Sequence, residues 1–513
     1  MMNRTRRALF SITVASAALA IAACGSPPPP DVPPAPPPPP DGAPARAAAD
    51  TADFRKTAPA PGPEVVFTPP KIQEAKLPNG VRVLLVERRD LPVVAVEITT
   101  DRGADQAPPA VGGFVGAMLT QGTKTRSSLD FSDAMGRIGA SFGSWVGYDG
   151  GGVSGQALAP NFDELLTLLG DAYMRPAFAK AEVDRERSRR LTTLAQINDN
   201  PGSLLNVAVG RALYPEAHPY AAPVIGTEET LQKIKPSDLA AFHAAHFQPD
   251  RTTVSISGDV TREQAMREVE RVFGGWKGKA KPAKEPELPG DRAGPRVVVL
   301  DRPGLTQSSV AVGLPGVARS SPDYEALLVM NTILGGQFSS RLNLNLREKH
   351  AYTYGARSGF DMRHGPGPFT AGGAIVREST GPAVGEILSE IKRIREEPVG
   401  EEELGAAKEN LIGQLPARFE TVNATASTLA GLAIYGLPLD EYANRAAKIE
   451  RVSREDVQRV ARQYLVPERT RLVLVGDAAV VKGQLEPLGL GPMDVQSAPA
   501  AAGGKAGPGA KRP

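Results

Sequence analysis

The stretch Val111–Thr123, with the sequence VGGFVGAMLTQGT, decides how the rest of this chain is interpreted. Its apolar residues recur at the spacing typical of one face of an amphipathic helix. They are Val111, Phe114, Val115, Met118 and Leu119. A second face carries Gly113, Gly116 and Ala117. Because a glycine inside a helix costs about 1 kcal/mol relative to alanine, the two glycines indicate close packing of another backbone against this helix.

An internal repeat divides the chain into two similar halves. Residues 249–259 contain Pro-Asp-Arg-Thr and a strand pattern that ends in Gly-Asp, and residues 467–477 contain Pro-Glu-Arg-Thr with the same ending. A constant offset between two such segments indicates duplication of one unit. Residues 277–296 are rich in proline and charge, as interdomain linkers are. Since strands and helices do not alternate strictly, we predict an α+β fold with mixed or antiparallel sheets.

Local patterns give a coarse assignment of elements. Strand patterns cover residues 81–86, 93–99, 141–158 and 252–257, and helix patterns cover residues 161–171, 181–197, 228–247 and 342–349. The predicted domains are residues 64–276 and 297–488 on either side of the linker, with a disordered tail at 489–513.

The N-terminal residues have the pattern of an export signal. A positive region precedes an apolar run that is too short to span a bilayer as a mature helix. The run ends in Ile-Ala-Ala-Cys-Gly at residues 21–25, which resembles a bacterial lipoprotein cleavage box. We therefore expect removal of residues 1–23, lipidation of Cys24 and an anchor in the outer membrane, facing the periplasm. An ordinary signal peptide that contains a cysteine is the alternative.

Residues 24–63 are proline-rich and predict an extended linker rather than a core.

The net charge and the cysteine count exclude two features. The formal net charge is +2, which gives no reason to expect nucleic acid as a partner. Cys24 is the only cysteine, so the chain can form no internal disulfide.

Several motifs together resemble the pitrilysin/insulinase family of zinc metallopeptidases, in particular its members similar to mitochondrial processing peptidase. Besides the helix at Val111, they are His218-Pro219-Tyr220, Ile225-Gly226-Thr227-Glu228, the two repeated strands, Leu334-Gly335-Gly336 and Ser340-Arg341-Leu342. The resemblance covers roughly residues 63–488. It implies two homologous domains, each a mostly antiparallel sheet packed with helices, which face each other across a chamber.

The zinc site of that family is degenerate in this sequence. The family's helix carries His-x-x-Glu-His, two zinc ligands and a general base, and by resemblance these positions are Gly113, Gly116 and Ala117. The region matching the third ligand, Leu191–Ile197, contains no Glu, and a substrate-binding Asn of the family falls near Gly143. We therefore expect no metal at these positions and no cofactor bound by this chain.

Two of the five histidines, His243 and His246, have the i, i+3 spacing that could ligate a metal. No third ligand follows nearby in the sequence, so we expect them on a helix surface instead.

The second half retains residues that the resemblance associates with substrate. In the family, the arginine of a Leu-Arg-Glu motif and a tyrosine that follows it hydrogen-bond the substrate backbone. By resemblance, Arg347 and Tyr354 hold these two positions. Guanidinium and phenol groups can donate to peptide carbonyls without reading side chains. The alternative is a surface ion pair of Arg347 with Glu348 and a core tyrosine, and Tyr352 takes the role if the register differs.

The preferred functional hypothesis is a non-zinc subunit of a heterodimeric metallopeptidase. Some bacterial members of the family pair a subunit that carries the zinc motif with one that carries only the Arg/Tyr pair. We thus expect a zinc-motif peptidase subunit of similar size as partner, zinc in that subunit, and a peptide or unfolded protein as substrate. The alternatives are a catalytically inactive binding or scaffold protein of the same fold and an active zinc metalloendopeptidase with unrecognised ligands.

Overall fold

The repeated strand-and-helix pattern forms two similar halves in the structure, a computed structural model that describes residues 67–290 and 294–499. The predicted signal peptide, Cys24 and the whole proline-rich linker lie outside the described residues, as does the chain after residue 499. Among the residues described, no helix combines the length and the apolar character needed to cross a membrane.

The first half contains six strands and eight α-helices among its described residues. The strands are β1 (Gln73–Lys76), β2 (Arg82–Glu87), β3 (Val93–Thr100), β4 (Ser141–Val146), β5 (Gly151–Leu158) and β6 (Thr252–Gly258). The helices are α1 (Val111–Met118), α2 (Ser128–Arg137), α3 (Phe162–Met174), α4 (Lys180–Asp199), α5 (Pro201–Leu213), α6 (Glu228–Lys233), α7 (Pro236–His246) and α8 (Arg262–Phe273).

The second half repeats the order that runs from β2 to α8 and adds a final strand. The strands are β7 (Val297–Asp301), β8 (Gln307–Pro315), β9 (Thr353–Phe360), β10 (Pro368–Val376), β11 (Arg471–Gly476) and β12 (Met493–Ser497). The α-helices are α9 (Tyr324–Asn331), α10 (Arg341–Asn343), α11 (Thr380–Glu396), α12 (Glu401–Gly413), α13 (Val422–Ile434), α14 (Glu441–Glu450), α15 (Arg454–Tyr464) and α16 (Ala478–Leu485). Two π-helical segments, Thr332–Gly336 and Leu344–Lys349, extend α9 and α10.

Each half is built on one six-stranded sheet. The strand orders are β1-β2-β6-β3-β5-β4 and β12-β7-β11-β8-β10-β9. The five strands from β2 to β6 therefore occupy the same positions in the first sheet as the five from β7 to β11 in the second. Most neighbours are antiparallel, and the exceptions are β2 with β6 and β7 with both β11 and β12. The predicted α+β fold with two homologous, mostly antiparallel domains is confirmed.

Each sheet is covered on one face by helices of its own half, while its other face receives one helix from the other half. In the first half, Phe114 of α1 lies in the core beneath its own sheet. On the opposite face, Leu429 and Leu432 of α13 pack against Leu84 and Val86 of β2. Helix α5 makes the equivalent contact with the second sheet, through a cluster that includes Leu205, Val209, Ala311 and Val473. Each half therefore contributes one helix to the outer face of the other half's sheet.

Three segments differ from the sequence-based expectation. The helix predicted for 228–247 is two helices, because Pro236 occupies the first position of α7 and cannot continue α6. The helix predicted for 342–349 is mostly π-helical. Part of the tail predicted to be disordered forms β12, which pairs in parallel with β7 through backbone hydrogen bonds that need no apolar pattern.

Candidate functional site

Helix α1 leaves no room for side chains at two of the three positions that match zinc-site residues. A Cβ atom built on Gly113 would lie 2.5 Å from the carbonyl oxygen of Val224, and one built on Gly116 would lie 2.4 Å from the amide nitrogen of Val146. Both distances are far shorter than van der Waals contact. The helix therefore packs at backbone distance against a loop and against β4, which confirms the close-packing interpretation of these glycines.

The positively charged side chain of Arg190, on α4, contacts α1. Arg190 donates from Nη2 to the carbonyl oxygen of Gly113, and its guanidinium lies 5.1 Å from the centre of the Phe114 ring. Its Nε lies 2.8 Å from a carboxylate oxygen of Glu186, which also pairs with Arg189. Burial lowers the pKa of the Arg190 guanidinium, and the attraction of Glu186 opposes that shift. Arg190 stands one residue before the segment that the resemblance matched to the third zinc ligand, and sequence reasoning missed it.

These residues do not fit a catalytic zinc ion. Gly113, Gly116 and Ala117 carry no ligand atoms, and Arg190 presents a positive charge to the same helix. Zinc sites in proteins are built from imidazole, thiolate and carboxylate groups. No chemical step through zinc is therefore assigned to α1.

The predicted pair His243 and His246 is not a surface feature, which corrects the expectation. Both side chains are buried, and His243 bonds through Nε2 to the carbonyl oxygen of Tyr173 at 2.7 Å. Burial lowers the pKa of His243 to about 4, so its ring stays neutral. Both rings also contact Phe side chains of the first core, at Phe247 and Phe242. The two imidazoles therefore share the buried side of α7 with Leu239 and Phe242.

Arg347 and Tyr354 lie on neighbouring segments of the second half. Arg347 is in the π-helical segment, its guanidinium 4.7 Å from the centre of the Phe338 ring and 3.4 Å from a carboxylate oxygen of Glu348. Tyr354 is the second residue of β9 and is 90% exposed. The core-tyrosine alternative therefore fails for Tyr354. Tyr352 instead stacks on His350 and packs against the second core.

Each sheet ends in a strand that has no further strand partner among the described residues. Strands β4 and β9 are the last strands of their sheets, so one side of each has no strand partner among the described residues. Phe142 and Trp145 of β4 are 38% and 37% exposed. At Gly143, an added Cβ would meet one atom, 3.8 Å away. An open edge of this kind can accept an extended peptide through backbone hydrogen bonds.

Comparison with known proteins matches both halves to one family. The model of Insulinase (Peptidase family M16) matches residues 82–228, and the model of the Peptidase M16 inactive domain matches residues 233–411. A protein named as an uncharacterized zinc protease of Bacillus subtilis is 25% identical over 357 residues, which are 68% of this chain and 85% of that protein. A Streptomyces coelicolor protein with a similar name is 24% identical over 79% of this chain and 89% of its own length.

Solved structures give the same result for the fold. The crystal structure of a peptidase M16 inactive domain from Pseudomonas fluorescens has a TM-score of 0.73 at 25% identity, and covers 79% of this chain and 98% of that one. A protease from Helicobacter pylori also has a TM-score of 0.73, at 21% identity, over 79% of this chain and 99% of that one.

The fold is that of a metallopeptidase-type protein, and the helix that resembles the zinc helix of such proteins has Gly113, Gly116 and Ala117, which carry no ligand atoms, at the matching positions. The chain belongs to the pitrilysin/insulinase family, peptidase family M16.

Proposed function

We propose that this chain is the non-zinc subunit of a heterodimeric pitrilysin/insulinase-type metallopeptidase. In this proposal Arg347 and Tyr354 bind the substrate backbone, and a zinc-motif subunit of similar size carries out hydrolysis. The observation that carries the proposal is a contrast between the halves. At Gly113 and Gly116 of the first half, neighbouring backbone fills the space of a side chain, whereas in the second half Tyr354 is exposed and Arg347 is partly exposed.

The chemistry of the pair suits this role. The Arg347 guanidinium is stacked on Phe338 and has only a partly exposed carboxylate beside it, so its N–H groups can be redirected to a ligand. The Tyr354 phenol extends into solvent from an edge strand. An extended or unfolded polypeptide presents carbonyl oxygens at regular intervals, and these are acceptors for both groups. The substrate class is therefore peptide backbone rather than a particular side chain.

The partner is tested by purification of the tagged full-length protein from its native membrane in mild detergent, followed by mass spectrometry. We expect a near-stoichiometric chain of similar size that contains His-x-x-Glu-His. The two chains, expressed separately, should show little peptidase activity alone and regain it when mixed. Recovery of this chain alone would favour the binding or scaffold protein, and activity of the isolated chain would contradict the proposed division of roles.

We also propose that Cys24 is the lipid attachment point and that the protein faces the periplasm from the outer membrane. This proposal rests on the cleavage-box pattern at residues 21–25. Labelling with a radioactive fatty acid should mark the wild-type protein and not a Cys24→Ser variant. An unlabelled wild-type protein would contradict it and favour an ordinary signal peptide.

A further inference from the structure

Three potential metal ligands meet between the two halves, away from the zinc-helix positions. Asp105 precedes α1, Asp149 lies in the turn between β4 and β5, and His364 lies in the loop between β9 and β10. One ligand atom of each lies within 4.8 Å of those of the other two, and Nδ1 of His364 is 3.7 Å from a carboxylate oxygen of Asp149. No other group of this kind occurs among the residues that the structure describes.

Contacts outside this cluster hold His364 and Asp149 in place. His364 donates from Nε2 to the carbonyl oxygen of Ile434 at 2.8 Å, since a carbonyl can only accept, and this leaves Nδ1 facing Asp149. The hydroxyl of Tyr435 donates to the second carboxylate oxygen of Asp149 at 2.9 Å. The His364 side chain is 9% exposed, so this orientation is held by buried contacts. A backbone carbonyl behind a ligating imidazole is the usual arrangement at metal sites.

The charges around the cluster leave its two carboxylates without a lysine or arginine partner among the described residues. Two arginines are near, but Arg102 pairs with Glu285 at 3.1 Å and Arg363 pairs with Asp361. Neither Asp105 nor Asp149 forms an ion pair with lysine or arginine within the described ranges. Burial and the proximity of Asp149 raise the pKa of Asp105 to about 6. A divalent cation would balance both carboxylates.

We propose that Asp105, Asp149 and His364 form a binding site for a divalent first-row transition cation, with Zn²⁺ as the best match. One imidazole nitrogen with two carboxylate oxygens suits zinc, whereas calcium and magnesium prefer oxygen alone. Asp105 is only partly buried, which gives the ion a route from solvent. Because two ligands come from the first half and one from the second, the ion ties the halves together. It differs in place and role from the catalytic zinc expected in a partner.

Arg102 is the main obstacle to this site. Its Nη1 lies 3.4 Å from Nδ1 of His364, so the guanidinium competes with a metal ion for the same lone pair. The same nitrogen also donates to the backbone carbonyl of Asp101 at 2.9 Å, so Arg102 keeps partners if the ion displaces it from His364. This competition makes a distinctive prediction: an Arg102→Gln variant should bind zinc more tightly than the wild type.

The test titrates zinc chloride into the EDTA-treated full-length protein by calorimetry, with thermal melting in parallel. We expect one equivalent to bind and to raise Tm. Asp149→Asn and His364→Gln should weaken binding about 10-fold or more and abolish the rise in Tm. Asp101→Asn is the matched control, because that neighbouring carboxylate pairs with Arg251 at 3.1 Å outside the cluster.

The outcomes separate clearly. Absence of zinc binding by the wild type, or wild-type affinity in both cluster variants, overturns the proposal. If a cluster variant fails to fold in the absence of metal, as judged by circular dichroism, the Arg102→Gln comparison decides: unchanged or weaker affinity counts against the site. Neither result depends on a partner subunit, so this proposal can fail while the heterodimer proposal stands.

Discussion

At the scale of single residues, the sequence predicted the close packing of α1 but not the side chain that lies beside it. Gly113 and Gly116 indicated close backbone packing because glycine in a helix is costly unless a neighbour needs the space, and the structure confirms it. Arg190 could not be found in the same way. It acts on α1 from a helix more than seventy residues later, and a charged residue on a charged helix looks like any solvent-facing one. The cluster at Asp105, Asp149 and His364 was missed for the same reason.

The role of Arg347 gives the sharpest residue-scale prediction. Arg347→Ala should lower the kcat/KM of the assembled pair about 10-fold or more, since a charge-assisted hydrogen bond contributes about 1.5–3 kcal/mol. The matched control is Arg451→Ala, which removes an exposed arginine at the end of α14 rather than one on β9. Peptide cleavage should be measured with both subunits at fixed ratio. Equal activity of the two variants would remove Arg347 from the substrate site.

At the scale of elements, type was easier to predict than extent. Strand and helix patterns gave β2, β3, β6, α3 and α4 to within a few residues. The long pattern at 228–247 did not reveal the boundary between α6 and α7. Its apolar spacing continues through Pro236, whereas proline cannot continue the backbone hydrogen bonding of α6. Strand β12 was not predicted, because three of its five residues are exposed and its sequence shows little apolar alternation. It is held at the edge of the sheet by backbone hydrogen bonds to β7.

The packing of α1 against β4 makes an element-scale prediction. Gly116→Ala should lower the free energy of unfolding by about 2 kcal/mol or more, because its Cβ would meet the backbone of Val146, which cannot turn aside as a side chain can. Gly136→Ala on α2 is the control. Its Cβ would meet nothing within 4 Å, so stability should hold or rise by up to about 1 kcal/mol. Urea denaturation measures both, and equal stability of the two variants would contradict the tight contact.

At the scale of the whole molecule, the repeat predicted two similar halves but not how they exchange helices. Amphipathic patterns tell which side of a helix is buried, and they do not tell which sheet buries it. Helices α5 and α13 each lie on the sheet of the other half. Such an exchange depends on long-range contacts that a local pattern does not encode.

The exchanged helices predict that the halves unfold together. Leu429→Ala on α13 should lower the free energy of unfolding by about 2–5 kcal/mol, as expected for a fully buried leucine. Leu129→Ala, at a position on α2 that is 70% exposed, should change it by less than about 0.5 kcal/mol. Calorimetry should show a single transition that shifts as a whole in Leu429→Ala. Two separate transitions in the wild type would show that the halves are independent.

The contact between the halves also predicts a pH dependence of stability. Glu97 of β3 is buried under α13 and accepts a hydrogen bond from Ser427 at 2.8 Å. Burial raises the pKa of this carboxyl above its ordinary value near 4.5, and hydrogen bonds from Ser427 and Trp145 only partly oppose the shift. The folded protein thus holds a proton that the unfolded chain releases. The stabilisation is full below pH 4.5 and is lost as the pH rises through the raised pKa.

Glu97→Gln should remove this contribution to the pH dependence, because the amide keeps an acceptor for Ser427 and carries no charge. Urea unfolding at a series of pH values above 4.5 measures the slope, and the wild type should lose stability relative to the variant as the pH rises. Glu409→Gln, which alters an exposed carboxylate on α12, should keep the wild-type slope. If Glu97→Gln and wild type change in parallel, the carboxyl is ionised in both states, and the interface between the halves must be more hydrated than its burial implies.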